Sequence, residues 1–444
     1  MNRNRLDNLR ALKLANMDVA FATAFGTLVG GAFLVGYVKE LGGSDLWIGW
    51  LAAVPSLLGI LQIPGAIWGR GFDSYKKFVL PGGLLWRALY IPLIFLPFLA
   101  LADGLKLWIL GLCVSLAAAC VLPVNPIYND WLAEMIPSTS RGWFFSRRNA
   151  IAAGVGAAIG ALGAVILDYF KGQNQPDMGY GIIFGIGVLC AAISFGAFLG
   201  MKDLKREHPI RQPFRQSLAA FIVPLRDREY KKVLIFLGFF VFAQGFAGNL
   251  FSAFAIESLK LPFTAIQIAV AAHAVGSISL GPFWGFLADK YGNRPLLFVL
   301  GIGLTLTPAI WLVCTPGQTT TNTIYLVLGH IYSGAVWGGI AVCQFNLLLA
   351  TAKAEDRANY LGVGMALQAI VGGIAPLLGA ELMSTFRGQF EVFDSYKYVF
   401  IATMGLRLVS VFFLAPVREE GAIRVRETLQ HLRRVTPRGY AALR

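Results

Sequence analysis

A few polar side chains stand inside long apolar stretches of this 444-residue chain: Asp18, Gln244, Asn249, His273, His330, Gln344 and Gln368. A polar group placed in hydrocarbon is costly, so such residues are functional candidates by default. Their chemistry is recognition and proton handling rather than bond making. Amides and imidazoles trade hydrogen bonds with polar solutes, and Asp18, His273 and His330 are ionisable groups whose protonation burial would shift. Aromatic rings keep them company. Asp18, Phe21 and Phe25 fall on one helical face, and Phe239, Phe240, Phe242 and Phe246 surround Gln244 and Asn249. His330, Trp337 and Gln344 recur every seven residues, which puts them on one stripe of a helix. Plainer readings exist for each. The Phe residues suit lipid contact or core packing, Gln and Asn serve as interhelical hydrogen-bond glue, and Asp18 could sit at the membrane interface.

Other chemistries lack their parts. No G-x-x-x-x-G-K-[ST] loop is present to drive ATP-dependent transport, and no nucleophile–His–acid set or metal cluster stands out. The five cysteines, Cys113, Cys120, Cys190, Cys314 and Cys343, all lie in apolar runs without a CxxC pair, and read as small packing residues. The expectation is a protein that is not an enzyme, with no cofactor and no metal.

The elements that must position the candidates follow from composition. The chain is 56% hydrophobic and only 14% charged, and its mean hydropathy is +0.63. The charges cluster between apolar runs of roughly 20 residues, the length a helix needs to cross ~30 Å of hydrocarbon. Every backbone polar group must be paired there, so the runs are helices, and the short alternating segments of a membrane barrel are absent. The fold class expected is an all-α polytopic membrane protein with twelve spans, at about 15–38, 46–68, 78–101, 105–128, 148–170, 180–201, 233–256, 265–288, 295–315, 324–351, 360–386 and 397–417. They are numbered 1 to 12 below. Met1 to Asn16 precedes a retained first span rather than forming a cleaved signal. Small-xxx-small pairs, Gly26/Gly30, Gly65/Gly69, Gly156/Gly160 and Gly281/Gly285, suit close helix contact.

The formal charge of +14 would suit nucleic acid, but its distribution speaks for topology instead. Of the 38 Lys and Arg residues, 30 fall on one side of the twelve spans and 6 on the other. That bias puts both termini in the cytoplasm of a cell (inner) membrane protein. Residues 1–200 are expected to form one six-helix bundle and 233–417 another. The connection 201–232 carries Phe214, Leu218, Phe221, Ile222 and Leu225 at helical spacing, and suits a helix lying on the membrane surface. A basic tail, 418–444, holds Ile423, Leu429 and Leu432 and reads as an interfacial helix or a free tail.

The halves superimpose at one offset of 216 residues. Trp68, Gly69, Asp73 and Tyr75 meet Trp284, Gly285, Asp289 and Tyr291, while Arg141, Gly156 and Gly163 meet Arg357, Gly372 and Gly379. One ungapped register matching at two separated places marks an internal repeat, a known transporter plan with substrate held between the halves. The segment Gly285 to Arg294 (GFLADKYGNR) resembles the signature loop of the major facilitator superfamily, G-x-L-a-D-x-x-G-x-R. Its first-half counterpart, Gly69 to Lys77 (GRGFDSYKK), keeps Gly69 and Asp73 but loses the second Gly and the Arg. Twelve spans, a long central connection and the duplicated loop extend the resemblance over almost the whole chain.

The resemblance implies a carrier working by alternating access, with Gly69, Asp73, Gly285, Asp289, Gly292 and Arg294 as a latch that holds one state and breaks when the halves rock. It also implies a cavity lined mainly by spans 1, 4, 7 and 10, which overlaps the set Asp18, Phe25, Gln244, Asn249, His273, His330, Trp337, Gln344 and Gln368. Two features of proton-driven relatives are missing. No Arg stands between Leu107 and Ile127 in span 4, and Gly156, Gly160 and Gly163 keep the span 5 spacing of proton exporters without its Pro; Gly372, Pro376 and Gly379 in span 11 carry something like it. The segment Asn129 to Pro137, followed by Arg141 and Gly142, reads as a charged loop. The expected partners are a lipid bilayer and a small-molecule solute, with possible proton or sodium coupling, carried by a monomer. An aromatic, amide-rich cavity poor in Arg and Lys points to a neutral or amphipathic organic solute. A lipid flippase or lipophilic exporter, and a non-transporting assembly factor on the same fold, are the rivals.

Overall fold

The computed structural model describes residues 3–136, 141–205, 222–353, 357–419 and 421–422. Most of the surface-helix segment expected in 201–232, with Phe214, Leu218 and Phe221, lies outside them, as does the tail beyond 422. Ile222 and Leu225 belong to a short helix, Ile222–Arg226, that leads into span 7.

Apolar helices dominate, and no strand occurs among the described residues; Ser74 and Lys205 form one isolated antiparallel bridge. Among the described residues eleven helices are long and apolar enough to cross a membrane: Leu12–Glu40, Asp45–Gly69, Tyr75–Phe98, Asp103–Val121, Arg147–Gly172, Pro176–Gly200, Arg228–Glu257, Phe263–Tyr291, Asn293–Leu312, Thr319–Thr351 and Asn359–Arg387. The twelfth expected span is the helix Val392–Phe412, diluted by Asp394, Lys397 and Arg407. Span 4 ends earlier than its hydropathy suggests. It breaks after Val121, and Asn125–Met135 forms a separate helix, so the segment read as a charged loop from Asn129 is mostly helical. Trp131 explains the difference. It is fully buried and its indole donates to the Lys202 carbonyl at 3.1 Å, which fixes this helix against the end of span 6.

Successive spans alternate in direction, so the bundle has two faces. One, here the motif face, holds the turns at residues 70–74 and Gly292; the far face holds those at 41–44 and 258–262. The apolar core is arranged unevenly between them. Toward the far face one cluster draws residues from all twelve helices, among them Phe33, Leu110, Phe184, Phe254, Phe263 and Phe400. Toward the motif face it gives way to two separate clusters. One contains Tyr75, Trp131, Phe144 and Phe198 from the first half; the other contains Tyr230, Leu300, Leu347 and Tyr360 from the second.

Small residues let the halves meet where they touch. A Cβ at Gly49 of span 2 would lie 2.5 Å from Ala380 Cβ of span 11, and one at Gly373 would lie 2.4 Å from Leu57. Asp168 of span 5 accepts from the backbone N–H groups of Phe263 and Thr264 at 2.7 and 2.8 Å, capping the start of span 8. Phe33 and Phe263 stack across the same boundary with centroids 5.7 Å apart. Two of the expected glycine pairs make no contact with another helix: Gly281 and Gly285 face open space, as does Gly26, and Gly30 meets only the Gly26 carbonyl. Span 8 instead meets span 10 through Gly276 and Gly334, where an added Cβ would fall 2.1 Å from the Ile331 carbonyl oxygen and 1.9 Å from that of His273.

Candidate functional site

That backbone contact between spans 8 and 10 brings His273 and His330 together. Their ring centroids lie 6.5 Å apart, and Trp311 of span 9 stands 5.8 Å from His330. His330 Nδ1 lies 2.8 Å from the Leu326 carbonyl. A carbonyl only accepts, so Nδ1 carries the proton and Nε2 is left for another partner. Both imidazoles and Trp337 line a cavity of about 250 Å³ among spans 7, 8, 9, 10 and 12, which also presents Thr307, Ser333 and Arg407. It lies within the second half rather than between the halves.

The rest of the expected stripe turns elsewhere. Gln344 donates to Gln368 Oε1 at 2.9 Å, and Gln368 in turn donates to the Gly364 carbonyl, so these two amides join spans 10 and 11. Gln244 is part-buried; both atoms of its amide are shut off from solvent and neither has a hydrogen-bond partner among the described residues. Asn249 faces a separate void of about 110 Å³ with Val35 and Leu51. Phe25 packs edge-on against Trp86 and Tyr90 at 5.4 and 5.0 Å, in the core.

Asp18 is buried rather than interfacial, and it is paired. Its Oδ1 accepts from Arg87 at 3.0 Å and from Ser194 at 2.7 Å, and its Oδ2 accepts from Tyr128 at 2.5 Å. Arg148 donates to the Tyr128 hydroxyl at 3.2 Å. Five elements of the first half thereby meet in one polar network. Asp18 was legible as an intramembrane carboxylate; Arg87 as its partner was not, because 69 residues separate them.

The far face is closed by charge. Arg387 at the end of span 11 donates to Glu257 of span 7 at 3.0 and 2.5 Å and to Asp45 of span 2 at 3.2 Å. Lys39 of span 1 pairs with Asp45 at 2.9 Å and with Glu257 at 2.8 Å, and the Tyr396 hydroxyl donates to Glu257 at 2.7 Å. Both halves contribute both signs, so the cluster ties them together. Lys39 and Arg387 are two of the six basic residues that the sequence places on the sparsely charged side, where they counted only toward topology.

At the motif face each loop is tied within its own half. Glu419 accepts from the backbone N–H groups of Asn293 and Arg294 at 3.1 and 2.7 Å, capping span 9, and Arg294 donates to the carbonyls of Leu414 and Ala415. In the first half the Ser74 hydroxyl donates to Asp203 at 2.6 Å, and the Lys76 N–H donates to it at 3.3 Å, at the start of span 3. Asp203 and Glu419 are 216 residues apart, the repeat offset already evident in the sequence, and that signal could have found them. Gly292 adopts φ +93°, where a side chain is strained; Lys76 holds the same register in the first half, inside a helix, so no glycine is needed. Asp289 is exposed, with no hydrogen bond or ion pair to another described residue. Asp73 pairs with Lys77 at 2.8 Å, and the Lys77 hydrogen bond holds its carboxyl below the usual range. Arg294 therefore does not reach across to the other half here; the latch expectation places that contact in the outward-facing state. Gly69 packs on Ile127 of the extra helix, and Gly285 makes no close contact.

Comparison with known proteins places this geometry. A family model described as Major Facilitator Superfamily matches residues 235–442. An aspyridones efflux protein of Emericella nidulans is 24% identical over 288 residues, covering 63% of this chain and 55% of its own. A probable transporter of Saccharomyces cerevisiae, MCH2, is 24% identical over 292 residues, covering 64% of this chain and 59% of its own. The chain thus spans a little over half the length of these relatives. Among solved structures, the nucleoside transporter NupG aligns with a TM-score of 0.64 at 15% identity, covering 95% of this chain and 100% of its own. A bacterial homologue of the human lysosomal transporter Spinster aligns with a TM-score of 0.64 at 15% identity, covering 98% of this chain and 100% of its own. At such identity the likeness is one of fold.

Proposed function

We propose that this chain, whose residues 235–442 match the Major Facilitator Superfamily model, is a secondary carrier of that superfamily moving a small organic solute by alternating access, with residues 1–200 rocking against 233–417. One observation carries this reading: the apolar core is shared by all twelve helices toward the far face and divided in two toward the motif face. A wedge of that form leaves a path between the halves open on one side. The ion-pair cluster of Lys39, Asp45, Glu257 and Arg387 holds the other side shut. The basic bias puts the motif face and both termini in the cytoplasm of the cell membrane, so this is the inward-open state.

In this state the motif loops are latched only to their own halves. Asp289 is free to find a partner when the motif face closes. Asp289→Ala is expected to lower transport by about tenfold at equal surface expression; a wild-type rate would remove the latch role. The reading as a whole is tested by uptake of radiolabelled acids, sugars and amides into proteoliposomes, with and without a pH gradient. Saturable flux is expected for at least one class, and its response to the gradient separates symport, antiport and uniport. Folded protein that moves none of them but co-purifies with a partner would favour an assembly factor instead.

A further inference from the structure

Span 12 carries a buried guanidinium with no acid among the described residues to balance it. Arg407 is 6% exposed and lines the cavity that holds His273 and His330. One terminal nitrogen donates to Thr307 Oγ1 at 2.5 Å and to the Leu304 carbonyl at 3.3 Å. The Nε atom is buried without a partner, and the other terminal nitrogen makes no hydrogen bond to a described residue. No lining residue of the cavity is Asp or Glu, and no described carboxylate forms an ion pair with Arg407.

Such a charge is not accounted for by topology. Arg407 lies five residues from the end of its helix at Phe412, about 8 Å at 1.5 Å per residue, yet its side chain does not run out to that interface. It runs back to Leu304, which is eleven residues, about 17 Å, along its own helix from Asn293. A guanidinium held at that depth without a counter-charge is unfavourable unless an anion joins it. The donors that remain free have the planar geometry a carboxylate accepts. Trp311 and Trp337 supply apolar wall beside it, and about 250 Å³ falls just under the ~300–1,000 Å³ of pockets for drug-sized ligands.

We propose that this cavity binds a small organic monoanion, its carboxylate on Arg407 and its apolar body against Trp311 and Trp337. The inference deepens the carrier reading by naming the substrate class, and it replaces the neutral solute that a cavity poor in Arg had suggested. Arg407 was visible in the sequence as a charge within a span, but only the fold turns it into the cavity.

The test is equilibrium binding to the purified, detergent-solubilised chain, read by thermal stabilisation and tryptophan fluorescence. The probes are benzoate, phenylacetate and lactate, each against its amide. At least one acid is expected to bind, with its amide at least tenfold weaker. Arg407→Gln should weaken the acid at least tenfold and leave the amide unchanged. Thr307→Val, a milder change that frees the guanidinium from its hydroxyl partner, should weaken the acid severalfold and so keeps the question open to test if the first variant does not fold. Amides that bind as well as acids, acids that bind Arg407→Gln undiminished, or no acid binding at all would each overturn the proposal. Binding does not require flux. A chain that binds acids but moves no solute ends the carrier reading and keeps the site, whereas one that carries only neutral solutes, unaffected by Arg407→Gln, does the reverse.

Discussion

Among the described residues the two halves each bury one arginine, and they treat it differently. Arg87 in the first half and Arg407 in the second are 7% and 6% exposed. Arg87 meets Asp18 at 3.0 Å and Ser194 at 2.6 Å, and its guanidinium lies 4.8 Å from the Trp86 ring. Arg407 meets a hydroxyl and a carbonyl, and faces a cavity. A buried charge with a partner built into the chain fixes helices against each other. A buried charge whose partner must come from outside is a place for a ligand. Equal burial therefore says little about role; what satisfies the charge decides it.

The largest effect expected breaks that contrast directly. Asp18→Ala strands Arg87 in the core and should cost about 3–5 kcal/mol, read as a lower thermal midpoint, with much of it recovered by adding Arg87→Met. Arg407→Met in the ligand-free protein should instead be neutral or stabilising by about 1–4 kcal/mol, because no chain carboxylate is left unpaired. Equal costs in the two halves would end the comparison.

The next effect sets the closed face against the open one. Arg387→Ala removes one of the two cations that join Asp45 and Glu257, Lys39 being the other, and should weaken far-face closure by about 2 kcal/mol, roughly thirtyfold in equilibrium. Labelling of Val35→Cys from the far side, above the background of native cysteines, reads it; an unchanged rate would mean the cluster is decoration rather than a clasp. The smallest effect probes the repeat. Glu419→Gln and Asp203→Asn each weaken a helix cap and should each cost about 1 kcal/mol of stability. A cost in one half alone would show that the shared offset does not carry a shared role.

Much of the architecture was legible because lipid imposes it. Apolar runs long enough to span must be helical, and basic residues report their direction, so each of the twelve expected spans meets a helix, most with edges off by a few residues. The exceptions are instructive. Val392–Phe412 carries three charges, of which Arg407 turns into the second half's interior, and Asn125–Met135 is a helix because Trp131 is buried against span 6. The candidate site was legible in part. His273, His330 and Trp337 do converge, because the close approach at Gly276 and Gly334 brings spans 8 and 10 together. Gln344 shares the stripe but spends its amide on Gln368, since a seven-residue period fixes a face and not the depth or the neighbour.

What the sequence determined alone was the kind of molecule: helices that cross a membrane, a duplicated half, and a loop motif repeated at one offset, all local or periodic properties enforced by backbone pairing and hydrocarbon thickness. What the tertiary structure decided was the pairing between distant segments that no repeat relates: Asp18 with Arg87, Asp45 with Arg387, and Arg407 with no acid among the described residues. Charge balance in a low-dielectric interior depends on which helices touch, and no spacing along a single chain encodes that.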